Sequence, residues 1–154
     1  MTTLVIGLGS PLLRDDGIGP QVVRELVRHD LAGVRLAEAH AGGLALVEEM
    51  QGSERVIIVD ASLHPDLRPG EIAVTGVGSA TCHAACSHDC TLEQALALAR
   101  GAGLALPPDE RIVIVAVGAA DVQCFDERLS PAVAAALPGI CARVASLARE
   151  GAIP

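Results

Sequence analysis

Aromatic side chains are almost missing from this chain of 154 residues, which has no Trp, no Tyr and a single Phe, Phe125. Such a chain offers no platform on which nucleic-acid bases can stack. Positive charge is also scarce, with 11 Lys and Arg against 19 Asp and Glu and a formal net charge of −8. That balance argues against a partner held through its phosphate backbone, so no nucleic-acid partner is expected. No apolar run reaches the length of a bilayer span, which argues against a membrane role. Cysteine is limited to five residues, an odd number, three of them crowded into positions 82–90, unlike a secreted disulfide framework. No basic residue precedes the first apolar run, and glycines and two acids interrupt it too early for a signal peptide. A cytoplasmic, reducing location is the expectation.

What is present is aliphatic. Hydrophobic residues make up 51% of the chain, so the core has to be built from Val, Ile, Leu and Ala. Small aliphatic side chains suit a parallel sheet covered by Ala-rich helices. A chain of this length is expected to form one domain, spanning 1–154, and to bury roughly two-thirds of its unfolded surface. There is no internal repeat, low-complexity tract or linker.

The organising stretch is Gly7-Leu8-Gly9-Ser10-Pro11-Leu12-Leu13-Arg14-Asp15-Asp16-Gly17-Ile18-Gly19. Leu4-Val5-Ile6 leads into it, and apolar residues at 18, 22, 23, 26 and 27 follow, which reads as strand, glycine-rich turn and helix. The first glycines suit a tight turn at the strand end. Asp15 and Asp16 fall near the positive end of the helix dipole, where negative charge is favoured, and an ionised carboxylate there suits a metal ligand or general base. The ordinary reading of an acid at this place is a helix cap, and for Asp15 the cap is the favoured reading. A dinucleotide fingerprint is incomplete, because its third glycine would fall at Leu12. The carboxylates rather than the glycines therefore carry the chemistry.

Further along, the first helix is expected over 18–29, a strand over Val34 to Glu38, a short helix over 44–51 closed by Gly52, and a buried strand Val56-Ile57-Ile58-Val59-Asp60. Ile72-Ala73-Val74 reads as a short strand, antiparallel at an edge because no helix precedes it. Thr91-Leu92-Glu93-Gln94 has the form of a capping box opening a helix over 92–101. Ile112 to Val117 is another buried strand, and Ser130-Pro131 caps a last helix that Pro138 should kink. Strand starts about 25 residues apart with helices between them fit right-handed βαβ units. In such a sheet working groups collect beyond the carboxyl ends of the strands, so Asp60 and the Asp15-Asp16 pair should share a crevice if their strands are neighbours.

The segment Cys82-His83-Ala84-Ala85-Cys86-Ser87-His88-Asp89-Cys90 concentrates thiols and imidazoles. A structural zinc site there lacks a second ligand pair unless Cys124 is brought over, and a loop with incidental cysteines accounts for the composition equally well. The segment precedes a capped helix, where a loop can reach the crevice. Asp16, Asp60 and His88 would then supply two hard oxygens and one imidazole, a set suited to Zn²⁺ or Ni²⁺ with coordination positions left open. His29 and His40 read as a helix-end and a turn residue, both facing solvent.

The strand-turn-helix from Val5 to Gly19, the strand ending in Asp60 and Ser87-His88 before a helix together resemble the hydrogenase maturation endopeptidases. The resemblance covers about positions 3 to 149. It implies an α/β fold in three layers, α/β/α, with a mostly parallel five-stranded sheet and one antiparallel strand. It also implies an endopeptidase that removes a C-terminal peptide from the large-subunit precursor of a nickel-iron hydrogenase once nickel is in place. By motif position the metal ligands would be Asp16, Asp60 and His88, with nickel carried by the substrate and Zn or Cd able to occupy the site in vitro. The chain departs from the family pattern at Ser10-Pro11, at Glu38-Ala39-His40-Ala41-Gly42-Gly43 and after the last strand, at Ala119-Ala120-Asp121-Val122-Gln123-Cys124. Two rival classes share part of the pattern: a non-catalytic nickel-binding maturation chaperone and a small nucleotide-binding domain. A thiol mechanism through Cys86 or Cys90 beside His88 is a further alternative.

Overall fold

The computed structural model describes residues 2–78 and 90–150. Five strands form one sheet: β1 (Thr3–Leu8), β2 (Val34–Ala39), β3 (Arg55–Ser62), β4 (Ile72–Gly76) and β5 (Ile112–Gly118). Their spatial order is β2-β1-β3-β5-β4, with every pair parallel except β4 against β5. The expected mostly parallel sheet with one antiparallel edge strand is therefore what the chain adopts. The helices are α1 (Ile18–Leu26), α2 (Leu44–Glu49), α3 (Leu92–Gly101) and α4 (Pro131–Glu150).

Alternation along the strands divides the core between the two faces of the sheet. Val5, Ile57, Val59, Val115 and Val117 pack with α1 and α4, whereas Leu4, Ile6, Ile58 and Ile114 pack with α2 and α3. The sheet is thus sandwiched between two helical layers. β1 and β3 are buried along their whole length apart from Arg55, because helices cover them on both sides. Gly7 lies inside β1 rather than in a turn, and its role is close packing. A Cβ there would stand 2.1 Å from the Gly19 carbonyl oxygen, and one on Gly19 would stand 2.4 Å from that of Val59. These glycines let α1 press its backbone onto β1 and β3.

Several boundaries differ from expectation. The first helix ends at Leu26 rather than His29, and Val27 is exposed. A one-turn 3-10 helix, Arg14–Gly17, precedes it and holds both acids. The capping box is present: Thr91 Oγ1 accepts from the Gln94 amide, while Gln94 Oε1 accepts from the Thr91 amide. α4 runs for 20 residues through Pro138 as one element. By length and composition it is long and apolar enough to cross a membrane, with mean hydropathy 1.5, contrary to the sequence expectation. Its packing accounts for this apolarity, since Val133, Ile140, Cys141, Val144 and Ala148 are buried against the sheet and α1.

Candidate functional site

The strand order reverses direction at β1 and β3, because the chain moves from β1 outward to β2 and then returns to the other side as β3. At such a switch point the connections leave in opposite directions and open a crevice beyond the carboxyl ends of the strands. Asp16 and Asp60 flank it. β1 and β3 are parallel neighbours with Gly7 opposite Val59, so Asp60 lies one residue beyond the last paired position of β3 with β1. Asp16 sits in the 3-10 turn that follows β1.

Asp16 is buried, and its Oδ2 accepts a 2.7 Å hydrogen bond from the Ser10 amide. Gly9, at φ +130°, leaves room for this arrangement, since a Cβ there would stand 2.0 Å from the Asp16 carbonyl oxygen and 3.3 Å from its carboxyl carbon. The glycine at this turn therefore shapes the seat of the acid. Asp60 is fully buried in β3, on the side of the sheet that faces α2 and α3 with Val56 and Ile58. His88, Cys82 and Cys86 lie outside the described residues. Cys90, just before α3, packs against the hydrophobic cluster that α2 and α3 share with the sheet, and Cys124 is exposed in the loop after β5. Among the described residues no group of three His, Cys, Asp or Glu side chains is placed to hold a metal ion.

Asp15 is not the expected cap. It is fully buried and makes no capping hydrogen bond to the turn or to α1. Its carboxylate reaches across to the loop after β5. Oδ2 accepts from the Ala120 amide at 2.8 Å, the Asp121 amide at 3.2 Å and the Ser130 hydroxyl at 2.7 Å, while Oδ1 accepts from the Ser130 amide at 2.7 Å. Ser130 consequently gives its hydroxyl to Asp15, and its carbonyl accepts from the Ala134 amide at the start of α4. Backbone bonds extend the junction: Arg14 N–H to Asp126 O at 2.8 Å, Asp126 N–H to Leu12 O at 3.1 Å and Asp15 N–H to Asp121 O at 3.0 Å. The loop carrying Asp16 and the loop after β5 are thereby one rigid unit. Nothing local in the sequence signals this, because the partners are more than 100 residues apart.

The surrounding charges are tied down as well. The Asp121 carboxyl is held below its ordinary pKa, first by the Gln123 and Cys124 amides that it accepts from and then by the Arg14 guanidinium. Glu38, at the carboxyl end of β2, pairs in a fork with Arg24 at 2.7 and 2.9 Å, and this hydrogen bonding lowers its pKa. His40 is exposed as expected and lies 3.4 Å from Glu38.

Fold and site together define an α/β domain with two buried acids, Asp16 and Asp60, on the loop after β1 and near the end of β3 beside the switch point of a mostly parallel sheet. Residues 20–147 match the hydrogenase maturation protease family, HycI, and the chain belongs to that family of peptidases. Solved structures share the fold. The hydrogenase maturating endopeptidase HybD from E. coli is 23% identical, over 98% of this chain and 94% of that one, with a TM-score of 0.76. The [NiFe] hydrogenase maturation protease HybD from Thermococcus kodakarensis is 24% identical, over 96% and 99%, with a TM-score of 0.69. A hydrogenase 2 maturation peptidase from Thaumarchaeota archaeon SCGC_AB-539-E09 gives 23% identity over 96% and 97%, with a TM-score of 0.68. No curated protein matches the chain.

Proposed function

We propose that this protein removes a C-terminal peptide from the large-subunit precursor of a nickel-iron hydrogenase, and that it recognises nickel already held by that precursor through Asp16, Asp60 and His88. The observation that carries the reading is the placement of Asp16 and Asp60 on either side of the β1/β3 switch point in a chain of the maturation protease family. Two carboxylates supply hard oxygen donors suited to a divalent ion, and an imidazole would complete a borderline set.

In this reading the nickel of the substrate polarises the scissile carbonyl or acidifies a water, and a carboxylate of the site takes the proton. The chain contributes a preset geometry. The Ser10 amide fixes one Asp16 oxygen, and the Asp15 junction fixes the loop that carries Asp16. Little reorganisation is then left for the moment of reaction.

The test is the intact mass of a large-subunit precursor, nickel-loaded and nickel-free, after incubation with the protein or its Asp16→Ala variant. Loss of a short C-terminal peptide only with nickel and only with Asp16 intact is the expected result. An unchanged mass despite complex formation would overturn the peptidase reading in favour of a nickel-binding chaperone.

A further inference from the structure

Three large apolar side chains are exposed on the three loops that leave the carboxyl ends of the adjacent strands β1, β3 and β5: Leu12 at 51%, Leu63 at 52% and Phe125 at 84%. A single exposed leucine on a surface is ordinary. Phe125 is different, because it is the chain's only aromatic residue and is left outside a core short of bulky side chains. Its exposure leaves a large apolar side chain in water, where burial would be favourable.

Its position is also fixed. Leu13 and Asp126 form a parallel β-bridge, and Leu12 and Phe125 are the residues immediately before that pair on the two segments. Neighbouring backbones in such a bridge run about 5 Å apart. The Asp126 N–H to Leu12 O bond and the four bonds to the Asp15 carboxylate hold the two segments together. The two apolar residues are thus pinned to the loop that carries Asp16. Two acids of the β5–α4 loop are occupied locally, Asp126 by Arg128 at 3.1 Å and Asp121 by its own turn and Arg14, while Glu127 faces solvent. Beside the Glu127 carboxylate, this corner offers apolar contact as its recognition chemistry.

Resting on the reading above, we propose that Phe125 and Leu12 form a docking subsite for the precursor protein, taking an apolar side chain next to the peptide bond that is cut. A rigid aromatic costs little conformational entropy on binding, and pinned loops lower that cost further. The subsite sets affinity and register while the acids handle the reacting group.

The experiment is steady-state cleavage and equilibrium binding of the nickel-loaded large-subunit precursor encoded in the same genome. Phe125→Ser and Leu12→Ser are exposed substitutions whose folding a thermal melt verifies. Each is expected to raise KM and Kd about five- to tenfold with kcat within about twofold, and Phe125→Leu to recover most of the loss. Wild-type cleavage together with an unchanged KM in Phe125→Ser overturns the subsite and leaves the peptidase reading intact. A shift of Phe125→Ser from dimer to monomer in sedimentation, with unchanged precursor affinity, also overturns it, because the pair would then contact a second copy of this chain. Failure of the wild-type protein to bind or cut the precursor overturns the peptidase reading, and the subsite with it.

Discussion

Asp15 and Ser130, 115 residues apart, meet in the core through two 2.7 Å hydrogen bonds, one from the Ser130 amide and one from its hydroxyl. A buried carboxylate is costly unless its oxygens are satisfied, and here four donors from the β5–α4 loop satisfy them. The acid next to the candidate ligand thus serves the architecture of the cleft.

Replacing Asp15 tests that role. Asp15→Asn places amide hydrogens where only acceptors fit and is expected to cost about 2–4 kcal/mol in urea unfolding. Ser130→Ala removes one donor of the four and should cost only about 1 kcal/mol. Equal losses in the two variants would contradict the arrangement.

Gly9 should be as sensitive as the acid it seats. Gly9→Ala drives a Cβ to within 2.0 Å of the Asp16 carbonyl at a φ of +130°, so the turn has to move. Precursor cleavage is expected to fall at least about a hundredfold, with a loss of about 2 kcal/mol in stability. Gly139→Ala, in an exposed stretch of α4 with open space around it, should instead stabilise the protein by about 0.5–1 kcal/mol. Thermal melts of the two variants should move in opposite directions.

The Arg24–Glu38 fork predicts a small acid-sensitive increment of stability. Arg24 depresses the Glu38 pKa below its ordinary 4.5, so the folded state binds its proton less readily than the unfolded chain does. The contribution is therefore fully present above about pH 4.5 and is lost as pH falls through the lower folded value. Both side chains are partly exposed, which limits it to about 0.5 kcal/mol. Arg24→Gln should be less stable than wild type near neutrality by that amount, and the difference should shrink at pH 3 in denaturant titrations.

Thiol chemistry should separate two cysteines. Burial, with Glu25 nearby, pushes the Cys141 thiol up to about 11, while Cys124 is exposed. At pH 8 peptide mapping after iodoacetamide treatment should find Cys124 alkylated and Cys141 protected until the protein is unfolded.

Much of the fold was legible in local patterns. The β-branched runs at 56–60 and 112–117 gave buried strands, the Thr91–Gln94 box gave the start of α3, and the missing helix before Ile72 gave an antiparallel edge strand. Each of these signals lies within a few residues, where side-chain alternation, capping and connection length act. The prominence of Asp16 and Asp60 was legible in the same way, from acids at strand ends.

Which acids face which neighbours was not legible, because that depends on strand order. Only the β2-β1-β3-β5-β4 arrangement puts the ends of β1 and β3 side by side and brings the β5–α4 loop against residues 12–15. Asp15 read as a cap because the sequence shows its own helix and hides the amides of Ala120, Asp121 and Ser130. Leu12 stood out in the sequence only where a third glycine would fall, and Phe125 only as the single aromatic, because their juxtaposition likewise depends on the fold. The sequence by itself determined the elements and their chemistry, since propensity and patterning are local. The tertiary structure alone decided the partnerships, since hydrogen bonds across more than 100 residues exist only once the sheet has set the loops in place.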